Sequence, residues 1–245
     1  MKLRTFAFDD RPDLHAQADE VFSAGWPEFI FHDPLADRQM DRVRRWFGEL
    51  NLLLVDDADR IAAGGWGVPV RWDGSPADLP GGYDDALVRA VTLREAGGRA
   101  DTLVIAAAQV RDDLRGRGLA AEVLGRLASA GERAGLARVI APVRPTSKAR
   151  YPLTAMEEFI RWTRADGAPS DPWLRTHQRM GARVLGVAER SMTMAGSVAD
   201  WERWVGFPLP ASGRYVVPGA LAPLAVDRTA DRGELVEPNV WVRHR

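Results

Sequence analysis

The stretch LVIAAAQVRDDLRGRGLAAEVLG, Leu103 to Gly125, constrains this chain more than any other. Its first half is apolar on both faces, the pattern of a strand inside a sheet rather than at its edge. Its end opens a helix with Ala120, Val123, Leu124, Leu127 and Ala128 on one face, stopping at Gly135. Between them, Arg115-Gly116-Arg117-Gly118 lets the backbone approach a partner closely just where a new helix offers unpaired N–H groups. Such a helix start favours an anion, and phosphate is the natural guest. ARVIAPV, 137–143, reads as the next strand, so the two strands are expected parallel with a right-handed crossover.

The same reading extends in both directions. KLRTFAF gives a first strand, DDRPDLHAQADEVF a helix with Asp10 near its cap and Pro12 in its first turn, and PLADRQMDRVRRWFGEL a second helix. NLLLVDD and RIAAGGWGVPVRW pair as antiparallel strands around Asp57 to Asp59, and a short helix from Ala86 to Glu95 precedes the central strand. Beyond Val143, a segment to Pro172 is too long for a simple connection and carries a helix over AMEEFIRWTR. A helix (WLRTHQRMG), one or two strands (ARVLGVAERSMTMAG), a short helix (VADWERWVG) and a terminal strand hairpin complete the chain. No repeat or low-complexity linker divides it.

Bulk properties exclude several classes. With 46% hydrophobic and 27% charged residues in 245, the chain has ample material for a buried core. A formal net charge of −1 supplies no basic field to hold nucleic acid. No apolar run reaches the roughly 18 residues of a membrane span, so the expected location is cytoplasmic, without membrane or nucleic-acid partners. There is no cysteine, hence no disulfide, thiolate nucleophile or thiolate metal site, and no metal is expected. Of 33 basic residues only Lys2 and Lys148 are lysines, a bias that a GC-rich genome explains.

Three readings compete for the glycine pair. A phosphate P-loop needs Gly-x-x-x-x-Gly-Lys-Ser/Thr, which is absent. Gly116, Gly118 and Ala121 satisfy the dinucleotide pattern, but RDDL separates them from the strand, and the next strand ends at Val143-Arg144 without an acid for a ribose hydroxyl. An arginine there could meet a 2′-phosphate, which leaves an NADP-dependent oxidoreductase as a third option. The third reading fits best: RGRGLA, Arg115 to Ala120, matches the Arg/Gln-x-x-Gly-x-Gly/Ala pattern of the GNAT superfamily of acyl-CoA-dependent N-acyltransferases, and the order of elements to about residue 190 resembles that superfamily throughout.

The resemblance implies an α/β (α+β) fold, a GNAT-like mixed central sheet flanked by helices, with a helical insertion and a C-terminal β-rich elaboration. The core would span 1–195, with the insertion at about 145–172, and 196–245 would form the elaboration. It implies an N-acyltransferase moving acetyl from acetyl-CoA to a primary amine of a small molecule or peptide, by direct attack in a ternary complex. A CoA-binding module without turnover is the alternative from another class, and a homodimer through the C-terminal strands stays open.

By the same resemblance Arg115, Gly116, Arg117, Gly118, Leu119 and Ala120 bind the CoA pyrophosphate, and the backbone at Gln109 and Val110 holds the thioester and pantetheine. Independently of the resemblance, RPTSK in the insertion offers Thr146, Ser147 and Lys148 to pantetheine, a CoA phosphate or an acidic acceptor. Many members protonate the departing thiolate with a tyrosine in a Tyr-x-x-x-Gly-Phe pattern; here HQRMGA puts His177 at that place, a departure that leaves His177 or Tyr151 as the acid. The central strand offers no glutamate as base. Trp26, Phe29 and Phe31, in the connection between the first helices, and Glu157 on the insertion are the acceptor-side candidates. Each has a plainer reading as a packing or solvated residue.

Overall fold

The computed structural model describes residues 2–245. β1 (Arg4–Ala7) leads through a short turn at Pro12–Leu14 into α1 (His15–Ser23), so the expected first helix starts later than Asp10. α2 (Pro34–Trp46) begins sharply because Asp33 accepts from the amides of Leu35 and Ala36 while Pro34 occupies the first turn. β2 (Asn51–Val55) and β3 (Ile61–Val70) form the expected antiparallel pair. α3 (Tyr83–Glu95), β4 (Thr102–Val110), α4 (Leu119–Arg133) and β5 (Arg138–Val143) follow. After them come α5 (Met156–Phe159), α6 (Pro172–Arg179), β6 (Arg183–Gly196), α7 (Val198–Val205), β7 (Gly213–Tyr215), β8 (Leu224–Asp227) and β9 (Arg232–Arg243).

Two expectations need correction. The inserted helix is one turn rather than 155–164, because the chain reverses around Gly167: Ser170 donates back to the Trp162 carbonyl, and Thr163 bridges Pro169. The terminal segment is more than an elaboration laid on a finished core. β9 pairs with β5 over Val240–Arg243 and with β6 along most of its length, and β8 takes over the edge that β5 leaves. The sheet order is β1-β2-β3-β4-β5-β9-β8-β7, with β6 on the other edge of β9.

Helices cover both faces. Leu103 and Ile105 of β4 and Val139, Ala141 and Val143 of β5 pack against Val123, Leu124 and Leu127 of α4 and Leu174 of α6. The intervening Val104 and Ile140 point the other way, to Val68, Val70, Leu87 and Trp241 beneath α2 and α3. This alternation is the period-two pattern of strands buried on both sides. A third cluster under α7 joins Phe29, Met194, Trp201, Leu224 and Leu235. Among the described residues no helix is long and apolar enough to cross a membrane.

The feature that positions the site is a fork. β4 and β5 are paired in parallel only from Thr102↔Arg138 to Val104↔Ile140, and beyond that they part. On its other side β4 stays with β3, but the register shifts between Trp66 and Gly67, leaving Ala106 without a partner on either strand. Alternate amides and carbonyls of Ile105–Val110 therefore face the gap instead of a neighbouring strand. β3 can follow so closely because Gly65 has no side chain: a Cβ there would stand 2.5 Å from the Ala107 carbonyl oxygen and 2.8 Å from Val123.

Candidate active site

At the far end of β4 the loop is tied down before it turns. Arg111 bonds Asp113 (2.7 Å) and the Ile61 carbonyl (3.0 Å), and Arg115 pairs with Asp112 at 2.6 Å. Gly116 and Gly118 then take φ of +78° and +83°, and α4 starts at Leu119 with no side-chain cap. No atom of the described chain accepts from the amides of Gly116 to Ala121, and a Cβ at 116 or 118 would meet nothing within 4 Å. The glycines are thus required by backbone conformation, while the space ahead of the amides is free of protein. Successive N–H groups reinforced by the helix dipole make an anion cradle.

The fork opens into a cavity of about 720 Å³. Its walls include Ile105–Gln109 of β4, Ala141–Arg144 at the end of β5, Leu124 of α4, and Trp173 and His177 of α6. Facing these, from the other side of the sheet, are Trp66, Tyr83, Asp33, Asp37, Met40 and Met192. Trp26 and Phe31 line the same cavity, whereas Phe29 is 1% exposed against Trp201 and is a core residue instead of a substrate wall.

Gln109 does more than the sequence suggested. Its side chain accepts from Trp26 Nε1 (2.5 Å) and donates to the carbonyls of Val21 (3.1 Å) and Ala24 (2.9 Å), pinning the end of α1 over the fork. Arg144, read as a possible 2′-phosphate ligand, is already committed. It forms a two-pronged ion pair with Glu237 (2.6 and 2.9 Å), donates to the Gly219 carbonyl and stacks over Trp26. Glu237 is fully buried and also accepts from the Leu221 amide.

Several candidates from the insertion fall elsewhere. Lys148 is 1% exposed, and its ammonium donates to the carbonyls of Tyr151 (2.8 Å) and Leu221 (2.7 Å), so it ties the insertion to the C-terminal segment instead of meeting a phosphate. Thr146 and Ser147 converge on Asp171, the cap of α6. Tyr151 is exposed, stands edge-on to Trp162 and is absent from the cavity wall. Glu157 lies on the exposed side of α5, outside the cavity, where its nearby carboxyl raises the pKa of Glu189 to about 7.

His177 does reach the cavity. Its Nδ1 is 2.9 Å from His244 Nε2, while its own Nε2 is buried without a partner in the chain. Burial, and behind it His244, pushes its pKa down to about 3, so the ring is neutral at physiological pH. A neutral imidazole can donate a hydrogen bond from Nε2 but carries no spare proton to deliver. Opposite it, Asp33 and Asp84 share the Thr193 amide (3.2 and 3.1 Å), and burial together with Asp33 raises Asp84 to about 9.

Comparison with known proteins agrees with this architecture. The loading GNATL domain of CurA from Lyngbya majuscula superposes with a TM-score of 0.58 at 17% identity, over 99% of this chain and 96% of that one. The GphF GNAT-like decarboxylase in complex with isobutyryl-CoA gives 0.54, also at 17%, over 78% of this chain and 90% of that one. In sequence, the arginine N-acetyltransferase avaD of Aspergillus versicolor is 29% identical over 96% of this chain and 91% of its own length. The chain has the fold of these GNAT proteins and resembles the acetyltransferase in sequence. No family model matches it. The glycine pair that first suggested an anion matches the pattern of that superfamily.

Proposed function

We propose that this chain is a GNAT-superfamily enzyme that transfers acetyl from acetyl-CoA to a primary amine of a small molecule or peptide, by direct attack within a ternary complex. The observation that carries the reading is the fork: β4 and β5 part directly beside an uncapped, glycine-started α4, so one strand links an anion cradle to unpaired backbone amides. In this reading the cradle from Arg115 to Ala120 holds the pyrophosphate, the backbone at Gln109 and Val110 holds pantetheine, and amides near Ala106 receive the thioester oxygen as it gains charge.

The amine lone pair attacks the thioester carbon, the C–S bond breaks, and sulfur leaves as thiolate. The proton shed by the attacking nitrogen ends on sulfur, giving an amide and free CoA thiol; an acceptor that arrives as ammonium first releases one proton to solvent. His177 is assigned as the donor that hydrogen-bonds the thiolate from Nε2, in place of the imidazolium acid its position suggested. Tyr151 has no role in this scheme.

Calorimetric titration with acetyl-CoA, with NADP in parallel and Gly118→Trp as control, tests the first half. Binding that the variant loses supports the cradle; heat from NADP alone overturns it. Thiol release in an amine screen, starting with arginine because the Aspergillus relative is named for it, tests the second. Binding of acetyl-CoA without release from any amine makes the protein a CoA-binding module.

A further inference from the structure

A buried carbonyl oxygen without a donor is costly, so one on a cavity wall marks where a donor arrives. Asn239 on β9 is such a group. It is 1% exposed, and its Nδ2 donates to the Pro142 carbonyl on β5 at 3.2 Å, which fixes which end of the amide is nitrogen. Its Oδ1 has no partner in the chain, and the residue lines the cavity of the fork.

Alternation along β9 decides which half of the cavity this is. Val240 and Val242 pack on the face of α4 and α6, where His177 sits, whereas Asn239 shares the opposite face with Trp241, beneath α2 and α3. The charges around the cavity are lopsided. Asp19, Glu20, Asp33 and Asp37 line it against Arg44 and Arg144, and the charge of Arg144 is already balanced by Glu237. Asp33 is held by the cap of α2, while Asp37 is exposed on the same helix.

Resting on the N-acyl-transfer reading, we propose that Asn239 Oδ1 receives an N–H of the reacting amine, and that the acceptor carries a second positive charge drawn by the surrounding carboxylates. An amine nitrogen has both N–H donors and a lone pair. A bond from one N–H to Oδ1 orients the nitrogen and leaves the lone pair for the thioester. Asn239 takes no proton and is therefore a binding and positioning group, not a base.

The test compares acceptor pairs that differ by one charge, arginine with citrulline and putrescine with butylamine, in binding to the CoA-loaded protein and in thiol release from acetyl-CoA. The doubly charged member of each pair is expected to bind about tenfold more tightly, with the advantage shrinking at high salt. Asn239→Leu should lose about tenfold in amine affinity while CoA affinity stays within twofold. Asn239→Asp, which keeps an acceptor oxygen, should retain arginine binding; this covers the case in which the leucine variant does not fold. Equal binding within each pair, or amine affinity unchanged in Asn239→Leu, overturns the inference. Amine binding without thiol release removes the transfer reading and leaves this one; thiol release indifferent to Asn239 does the reverse.

Discussion

Between pH 7.5 and 5 this protein should lose about 2 kcal/mol of stability through a single residue. His177 is held down to about 3, against 6.5 for a free imidazole, chiefly by burial. In that window only the unfolded chain takes up the proton, so stability is complete above 6.5 and falls by about 1.4 kcal/mol for each pH unit below it, ending near 3. Asp84 acts in the opposite sense. Its folded carboxyl is raised to about 9, which favours the folded state at low pH, as does Glu189, raised to about 7, and the total curve therefore mixes several groups. Comparison with His177→Gln separates them. Glutamine leaves Asp84 untouched and keeps a polar partner for His244, whose own depression by burial is present in both proteins. Urea unfolding at pH 7.5 and 5 should show the wild type losing about 2 kcal/mol more than the variant. Parallel losses would mean that His177 is not held neutral by the fold, and its assignment as a neutral donor to sulfur would fall with it.

Other outcomes follow from the same geometry. Glu237→Gln leaves the Arg144 charge unpaired in a buried place and should cost about 3–5 kcal/mol in thermal or denaturant unfolding, most of it recovered by replacing both partners with apolar residues. Gln109→Ala cuts three bonds that hold α1 and Trp26 over the fork; acceptor KM should rise while acetyl-CoA affinity changes little. Leu127→Ala, at a fully buried position of α4, should cost about 2–5 kcal/mol. Tyr151→Phe should leave kcat within about twofold, since the phenol stands outside the cavity; a larger fall would restore it as an acid.

The sequence carried the central unit well because its signals are local. A strand apolar on both faces, two glycines and an amphipathic helix ending at Gly135 each report on neighbours a few residues away, and together they located β4, the glycine turn and α4. What escaped it depends on long-range pairing. Arg144 at a strand end looks like a free cation until Glu237, 93 residues later, is seen beside it. Lys148 stood out as one of two lysines, yet its fate rests on a carbonyl at Leu221. Asn239, in EPNVWV, reads as one polar residue in an apolar strand, and only the parting of β4 from β5 shows that it lines a cavity. The charge state of His177 was equally invisible, since an unperturbed imidazole titrates near neutrality and only burial moves it.

The position of β9 has a consequence for how the molecule comes into being. β5 gains its second neighbour only from residues Val240–Arg243, about a hundred positions further along the chain, and the same strand supplies Asn239 to the cavity wall and Glu237 to Arg144. During synthesis the cradle, α4 and the β3–β4 pair are complete long before that strand has left the ribosome. The apolar outer edge of β5 must wait, exposed or transiently covered, until β9 arrives. A nascent chain stopped before Arg232 would thus already hold the glycine turn and α4 but only one side of the cavity of the fork, so the two halves of that cavity mature at different times.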